Sequence, residues 1–244
     1  MSRTVWITGA SRGIGRACAL RFAHAGDRLA LLYHHNDAAA AQTAADCRAL
    51  GAQVLLLRAD VADRGAVFDA AEAIRLELGL VDVLINNAGI AQQKLFTDIT
   101  EADWRRMTGV NLDGVFYCCQ AALPGMIHRK SGRIINISSM WGQVGASCEV
   151  HYSAAKAGVI GLTRALAKEV GPSGICVNAI APGVIDTEMN AALDAATTRA
   201  LCDETPLERL GTPDDVARAA EFLAGPGGAF VTGQILGVNG GFII

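Results

Sequence analysis

The sequence predicts an α/β fold in which a parallel sheet carries helices on both faces. Three observations predict it. Short apolar runs alternate with longer helical segments along all 244 residues, the order that builds strand–helix–strand units with right-handed crossovers. The chain is 51% hydrophobic but only 5% aromatic, and is rich in alanine, leucine and valine, as a sheet covered on both faces requires. A glycine-rich turn, Gly9 to Gly15, joins the first apolar run to the first helical segment, where the chain must pass tightly from strand into helix.

Each element has its own signal. Thr4–Thr8 is a short apolar run stopped by glycine and reads as the first strand, with Gly13–His24 as the first helix. Arg28–Tyr33 is apolar almost throughout, the mark of a strand buried on both faces, and an alanine-rich helix starts at about Asp37. Gln53–Arg58 is a third strand, Asp63–Leu78 a helix and Asp82–Asn86 a fourth strand. A long helical region runs from Glu101 to about Arg129, broken into two helices near Thr108-Gly109 because glycine weakens a helix interior. Arg133–Ser138 is a fifth strand, Val150–Val170 a long helix and Ile175–Ile180 a sixth strand. Pro182 to Asp203 is less regular. Pro213–Leu223 opens with proline in its first turn, which a helix tolerates, and Gln234–Val238 is a last short strand. No linker, low-complexity tract or fixed-period repeat divides the chain, so one domain over residues 1–244 is expected.

Charge and cysteine usage narrow the function classes. A formal net charge of −3 gives no global basic signal for nucleic acid or membrane. The run His128-Arg129-Lys130 with Arg133 reads as a solvated helix end. Seven cysteines, an odd number without a C-x-x-C pair, argue against a zinc site or disulfide framework. They point instead to a reducing compartment. Met1-Ser2-Arg3 runs straight into an apolar strand and no apolar stretch approaches about 18 residues. No signal peptide, membrane span or metal is expected, and a cytoplasmic location fits.

The glycine turn, Thr8-Gly9-Ala10-Ser11-Arg12-Gly13-Ile14-Gly15, has the spacing G-x-x-x-G-x-G. Gly9 permits the tight turn, Gly13 lets backbone approach a pyrophosphate, and Gly15 lets helix pack on sheet. The helix N-terminus offers free N–H groups to an anion. A tight turn without ligand is the alternative. In dinucleotide sites an acid at the end of the second strand holds the ribose 2′-hydroxyl. Here that strand ends Tyr33-His34-His35-Asn36 without an acid, and Asp37 is expected to cap the next helix. Arg12 stands where it would meet a 2′-phosphate. NADP(H) is therefore favoured over NAD(H), with Tyr33 and His34 at the cofactor.

Tyr152 and Lys156 lie four residues apart on one helix face. There the ammonium is expected to favour tyrosinate and pull the phenol down from about 10. A phenol tuned in this way exchanges protons near neutral pH. Ser139, thirteen residues upstream, adds a hydroxyl for a substrate oxygen. With three tyrosines and four lysines in the whole chain, such a grouping is rare by chance.

Together these motifs resemble the short-chain dehydrogenase/reductase family, in its single-domain form. Thr8 to Gly15, Asp60-Val61, Asn86-Asn87-Ala88-Gly89, Asn111, Ser139, Tyr152, Lys156, Pro182-Gly183 and Thr187 match in order across essentially the whole chain. The resemblance implies a Rossmann-type doubly wound sheet of about seven strands in the order 3-2-1-4-5-6-7. It implies that Tyr152 protonates the carbonyl oxygen during reduction and that Ser139 orients it. Ser138 competes for that place, but the spacing to Tyr152 favours Ser139. Lys156 would bind the nicotinamide ribose, and Asn111 would hold a water linking Lys156 to solvent. Asn111 stabilising a helix kink is the alternative. Asp60 and Val61 would contact adenine, and Asn87, Ala88 and Gly89 would line the adenosine ribose. Ile185 and Thr187, after Pro182-Gly183, would fix the carboxamide.

Within the family the chain is most similar to 3-oxoacyl-acyl-carrier-protein reductases, through Asn178 to Gly183 and the ending Gly233-Gln234 … Asn239-Gly240-Gly241. That likeness implies a homotetramer and an acyl carrier protein as partner. Two departures stand against a carrier-borne substrate. Ser173 occupies a position that is commonly basic there, leaving Arg129 to supply the contact. The loop from Trp141 to Glu149, which also holds Gln143, places a tryptophan and a carboxylate beside the expected substrate. An anion there favours an amine-bearing ketone, and the stretch is similar to reductases of the 5-aminopentanone group on elongation factor P. Alternatively Glu149 caps the Tyr152 helix and faces solvent. A dinucleotide sensor without catalysis is a third reading, which the complete Asn-Ser-Tyr-Lys set opposes.

Overall fold

A computed structural model describes residues 2–191 and 193–244. Seven strands form one parallel sheet: β1 (Thr4–Thr8), β2 (Arg28–Tyr33), β3 (Val54–Arg58), β4 (Val83–Asn86), β5 (Gly132–Ile137), β6 (Ile175–Pro182) and β7 (Ile235–Val238). They lie in the order β3-β2-β1-β4-β5-β6-β7, as expected from the resemblance. The helices are α1 (Gly13–His24), α2 (Asp37–Ala49), α3 (Arg64–Glu77), α4 (Glu101–Thr108), α5 (Gly114–Arg129), α6 (Trp141–Val144), α7 (Val150–Val170), α8 (Ala195–Glu204) and α9 (Pro213–Ala224). No described helix is long and apolar enough to cross a membrane.

Strand pleating sorts the core into two layers. From β1, Val5 and Ile7 point to the layer holding Phe22 of α1, Cys47 of α2 and Val216 and Leu223 of α9. Trp6 points to the other layer, with Ile74 of α3, Met126 of α5 and Val159 of α7. The middle strands are buried end to end, which is why their sequences read as unbroken apolar runs.

Three expectations need correction. The stretch taken as irregular contains α8, capped by Asp194, whose carboxylate accepts the Thr197 N–H at 2.7 Å. None of its residues is buried, so it carries no apolar stripe to reveal it. The loop after Ser139 winds into α6 for four residues. The break after Thr108 is a π-turn, Gly109–Asp113, rather than an interruption; a wider turn of this kind shifts side chains around the helix axis and is frequent at functional sites.

Behind the carboxyl ends of the strands, buried polar groups tie sheet to helix. Asn86 of β4 donates to Asn136 of β5 at 2.8 Å, and Asn136 donates to the Thr163 hydroxyl of α7 at 2.9 Å. Thr163 closes the chain on the Val159 carbonyl at 2.8 Å. Asn136→Ala removes two buried hydrogen bonds, leaving the Asn86 amide with the Cys119 sulfur and the Thr163 hydroxyl with the Val159 carbonyl. We expect it to lower unfolding stability by about 2 kcal/mol, measured as a reduced urea midpoint with unchanged slope.

Candidate active site

At the carboxyl ends of the strands lies a cleft of about 670 Å³. It opens between β1 and β4, where the strand order reverses, the place at which such sheets hold ligands. Thr8 and Asn87 build this opening. The Asn87 and Ala88 N–H groups both donate to the Thr8 hydroxyl at 3.0 Å. The Asn87 side-chain amide returns to the carbonyls of Thr8 and Gly9, each at 3.0 Å.

One wall is the glycine turn, with Gly9, Ser11, Arg12, Gly13 and Ile14 on the cleft. The Thr43 hydroxyl of α2 holds it from behind by donating to the Ser11 carbonyl at 3.1 Å. Gly15 does not line the cleft. A Cβ there would overlap the Gly9 carbonyl oxygen and the Asn87 amide, so its place is at the helix–strand contact. No side chain caps α1, which leaves its first N–H groups directed at the cleft.

The opposite end brings Asn111, Ser139, Tyr152 and Lys156 onto the same cleft. The Lys156 ammonium is buried and donates to the Ile137 carbonyl at 2.8 Å. It lies 5.7 Å from the centre of the Tyr152 ring. Burial lowers the Lys156 pKa to about 8. Ser139 lies close enough to the Tyr152 phenol to lower its pKa, and the Ser139 oxygen accepts the Trp141 N–H at 3.1 Å. Ser138 also borders the cleft, but its hydroxyl is engaged, donating to the Lys156 carbonyl at 2.9 Å.

The phenol departs from expectation. Burial, against a lowering by Ser139 and with a smaller push from Glu149, raises Tyr152 to about 12. Desolvation of a tyrosinate outweighs any pull from an ammonium whose strongest contact is the Ile137 carbonyl. Tyr152 is therefore a neutral phenol, poised to donate rather than to accept.

Asn111 is fully buried in the π-turn. Its amide nitrogen donates to the carbonyls of Ile90 at 3.0 Å and Met107 at 3.1 Å, and its oxygen accepts the Ile90 N–H at 3.3 Å. These bonds tie the π-turn to the Ile90 segment. A Cβ on Gly89 would stand 2.8 Å from the Asn111 oxygen and 3.4 Å from the Lys156 nitrogen. The hollow over Gly89 is thus open to both polar groups only because glycine lines it.

Asp60, Val61, Ala88 and Gly89 line the flank beside β1 and β4, and Tyr33 and His34 the corner at the end of β2. Asn36, not Asp37, caps α2, accepting the Ala39 N–H at 3.0 Å. Asp37 is engaged by the Tyr33 phenol and lies 3.7 Å from Arg58. Pro182, Gly183, Ile185 and Thr187 close the far side, where the Asn190 amide anchors the Ile185 carbonyl at 2.8 Å.

Of the three loop residues, Trp141 and Glu149 reach the cleft and Gln143 does not; it is exposed on α6. Trp141 packs edge-on against Phe242 with centroids 5.9 Å apart. Glu149 precedes α7 but makes no side-chain cap. It is half-buried, hydrogen-bonded to Gln93, and its pKa is raised by burial. Arg129 is not available for docking, since it pairs with Asp82 at 3.2 Å and donates to the Val81 carbonyl at 2.6 Å. Sequence reasoning missed His35, Ile90, Arg106, Val110 and Met189 on the cleft. A signal existed for Val110, one residue before Asn111.

This sheet order, glycine turn and Ser-Tyr-Lys grouping define a short-chain dehydrogenase/reductase, and the chain belongs to that family. A family model described as enoyl-(acyl carrier protein) reductase matches residues 9–243. Among curated relatives, the 3-oxoacyl-(acyl-carrier-protein) reductase FabG of Staphylococcus aureus is 40% identical over 241 residues, spanning 99% of this chain and 98% of that relative. The 3-oxoacyl-(acyl-carrier-protein) reductase of Synechocystis sp. is 41% identical over 239 residues, 98% of this chain and 96% of its own. The FabG of Chlamydia trachomatis is 40% identical over 243 residues, 99% and 97% of the two chains.

The buried phenol has a spectroscopic consequence. Tyrosinate absorbance should show one group ionising only near pH 12. Tyr152→Phe should delete that late step and leave the earlier ones. Loss of an early step instead would contradict the burial effect.

Proposed function

We propose that this protein is a nicotinamide-dependent ketone reductase that uses NADP(H) and converts a 3-oxoacyl thioester to its 3-hydroxy form. The carrying observation is that a neutral Tyr152, with Ser139 beside it, shares one cleft with an uncapped helix N-terminus and its glycine turn. The cradle fits a dinucleotide: backbone N–H groups face the pyrophosphate place, and the Gly89 hollow leaves room beside Lys156 and Asn111. When bound, the cofactor supplies the hydride. Ser139 and Tyr152 hold the substrate oxygen, Ser139 by hydrogen bond and Tyr152 as proton donor. Lys156 then faces the tyrosinate left behind, and its ammonium offsets that charge. Asn111 lies beside Lys156 at the path by which the proton is restored. For NADP(H), the absence of an acid free to hold a 2′-hydroxyl at the end of β2 is the supporting observation, with Arg12 exposed on the adjoining lip.

A second reading is an amine-bearing ketone, such as the 5-aminopentanone group on elongation factor P. Glu149 favours it, as a half-buried carboxylate on the substrate wall close enough to raise Tyr152. Ser173 and the engaged Arg129 also leave the two positions considered for an acidic carrier without a free cation.

Four experiments test these readings. Protein mixed with NADPH and acetoacetyl thioester should consume the reduced-nicotinamide absorbance. Tyr152→Phe should lower kcat at least about 100-fold while the NADPH dissociation constant stays within about twofold; retained turnover would remove the proton-donor role. The reduction rate should be level below the Lys156 pKa of about 8 and fall above it, because the charged form is lost as pH rises through that value. Glu149→Gln should raise KM for an aminoketone and leave neutral ketones unchanged, and equal effects on both would eliminate amine recognition.

A further inference from the structure

We propose that Phe242 is a specificity-determining residue that acts through Trp141: it holds the indole as a wall beside Ser139, so that the cleft admits ketones with a small group on that side of the carbonyl. This rests on the ketone-reductase reading above. Phe242 is a positioning residue in it, since it touches Trp141 and does not itself line the cleft.

The backbone is fixed on both sides of this pair. Trp141 opens α6 two residues after Ser139, and its N–H donates to the Ser139 oxygen at 3.1 Å. A Cβ on Gly142 would stand 2.8 Å from the Lys156 carbonyl carbon, so α6 lies directly on α7. The stem of the indole is thereby pinned between the proposed substrate hydroxyl and the helix that carries Tyr152. Phe242 comes from the turn after β7. The Asn239 side chain closes that turn, accepting the Gly241 N–H and donating to the Ile243 carbonyl, each at 3.0 Å. The Phe242 N–H adds a bond to the Asn239 carbonyl at 3.1 Å. The turn is docked in its place by the segment after α8, where the Leu207 N–H donates to the Gly240 carbonyl at 3.1 Å.

Between the two pinned stems the rings meet edge to face, with planes at 89° and centroids 5.9 Å apart. This is a preferred aromatic geometry, and it fixes the direction of a ring as well as its distance. Direction matters here because the indole is half-buried and borders the open cleft. It lacks the packing on every side that holds a core ring in one rotamer. With Phe242 truncated, the indole turns into the vacated volume and the cleft widens beside Ser139. A phenyl or branched group that the held indole excludes then fits. The effect is confined to the ketone, because the glycine turn and its helix end lie at the opposite end of the cleft.

Two thioesters that differ only beside the ketone carbonyl test this: acetoacetyl, with a methyl group, and benzoylacetyl, with a phenyl ring. Each is reduced by the full chain with NADPH. The protein should favour acetoacetyl in kcat/KM, with the difference mainly in KM. Phe242→Ala should lower that preference by about three- to tenfold, the range an aromatic pair supplies, and leave the NADPH dissociation constant within about twofold. Phe242→Tyr should retain the preference. Trp141→Ala should remove it, and Phe242→Ala added to Trp141→Ala should change nothing further, because the two rings act as one unit. Trp141 emission, taken as the difference from Trp141→Phe, should shift to the red in Phe242→Ala, a readout that needs no turnover. If the melting temperature shows that Phe242→Ala loses the fold, Phe242→Leu keeps apolar volume without the ring and carries the same comparison. A preference or an emission unmoved by loss of the ring, or effects of the two substitutions that simply add, would overturn the proposal while leaving the reductase reading in place. No turnover of either thioester would overturn the 3-oxoacyl reading and this role with it.

Discussion

The junction between the carboxyl ends of β1 and β4 is the constraint on which the rest of the molecule depends. Thr8 presents one hydroxyl to two successive N–H groups, and Asn87 returns its amide to two successive carbonyls. These four bonds fix how far the strand ends splay where the strand order reverses. They also set the glycine turn against the Ala88-Gly89 segment, with Gly15 packed on the Gly9 carbonyl. Gly89 in turn sets the clearance between Asn111 and Lys156. A shift of one side chain at this junction would therefore move the anion-facing helix end and the proton-handling end together.

Burial, more than pairwise charge, sets the chemistry of the proton-handling end. Lys156 sits in the interior with the Ile137 carbonyl as its hydrogen-bond partner among the described residues, and desolvation lowers it to about 8. The same surroundings raise Tyr152 to about 12. The two groups move toward their neutral forms, as desolvation dictates for a cation and an anion alike. A neutral phenol suits the proton-donor role proposed for Tyr152. The π-turn contributes by carrying Asn111 inward, where its amide satisfies the carbonyls that the wider turn releases.

The parts of the fold that were legible in the sequence are those buried on both sides. Arg28–Tyr33 and Val83–Asn86 could only be strands of a covered sheet, and the four-residue spacing of Tyr152 and Lys156 on α7 was readable because a long uninterrupted helix preserves it. Elements without a buried face were not legible: α8 buries nothing, and α6 is too short to show a period. Competition among neighbours defeated the finer assignments. Asn36 took the cap that Asp37 was expected to make, because Asp37 was engaged by Tyr33 and Arg58. Arg129 was drawn to Asp82, and Gln143 turned outward when its loop wound into a helix. The phenol's direction of shift depended on depth, which spacing does not encode.

The substrate wall follows from the same logic of anchoring. The segments 92–94 and 148–151 are joined by three contacts: Lys94 N–H to the Cys148 carbonyl at 2.7 Å, Gln92 to His151 at 2.9 Å, and Gln93 to Glu149. Gln92 and Lys94 also converge on Asp103 of α4, at 3.1 and 2.6 Å. Asp103 is held well below the usual carboxylate range by these bonds and by Thr100. A carboxylate so fully bonded is a rigid pivot, and it holds the wall that carries Glu149. Glu149 itself is different: it has one amide partner, partial burial and a raised pKa. A carboxylate left short of partners beside a proton donor is destabilising unless a cation or hydrogen-bond donor meets it. The wall is thus rigid where it is anchored, and Glu149, with its raised pKa, is the carboxylate it presents to the cleft.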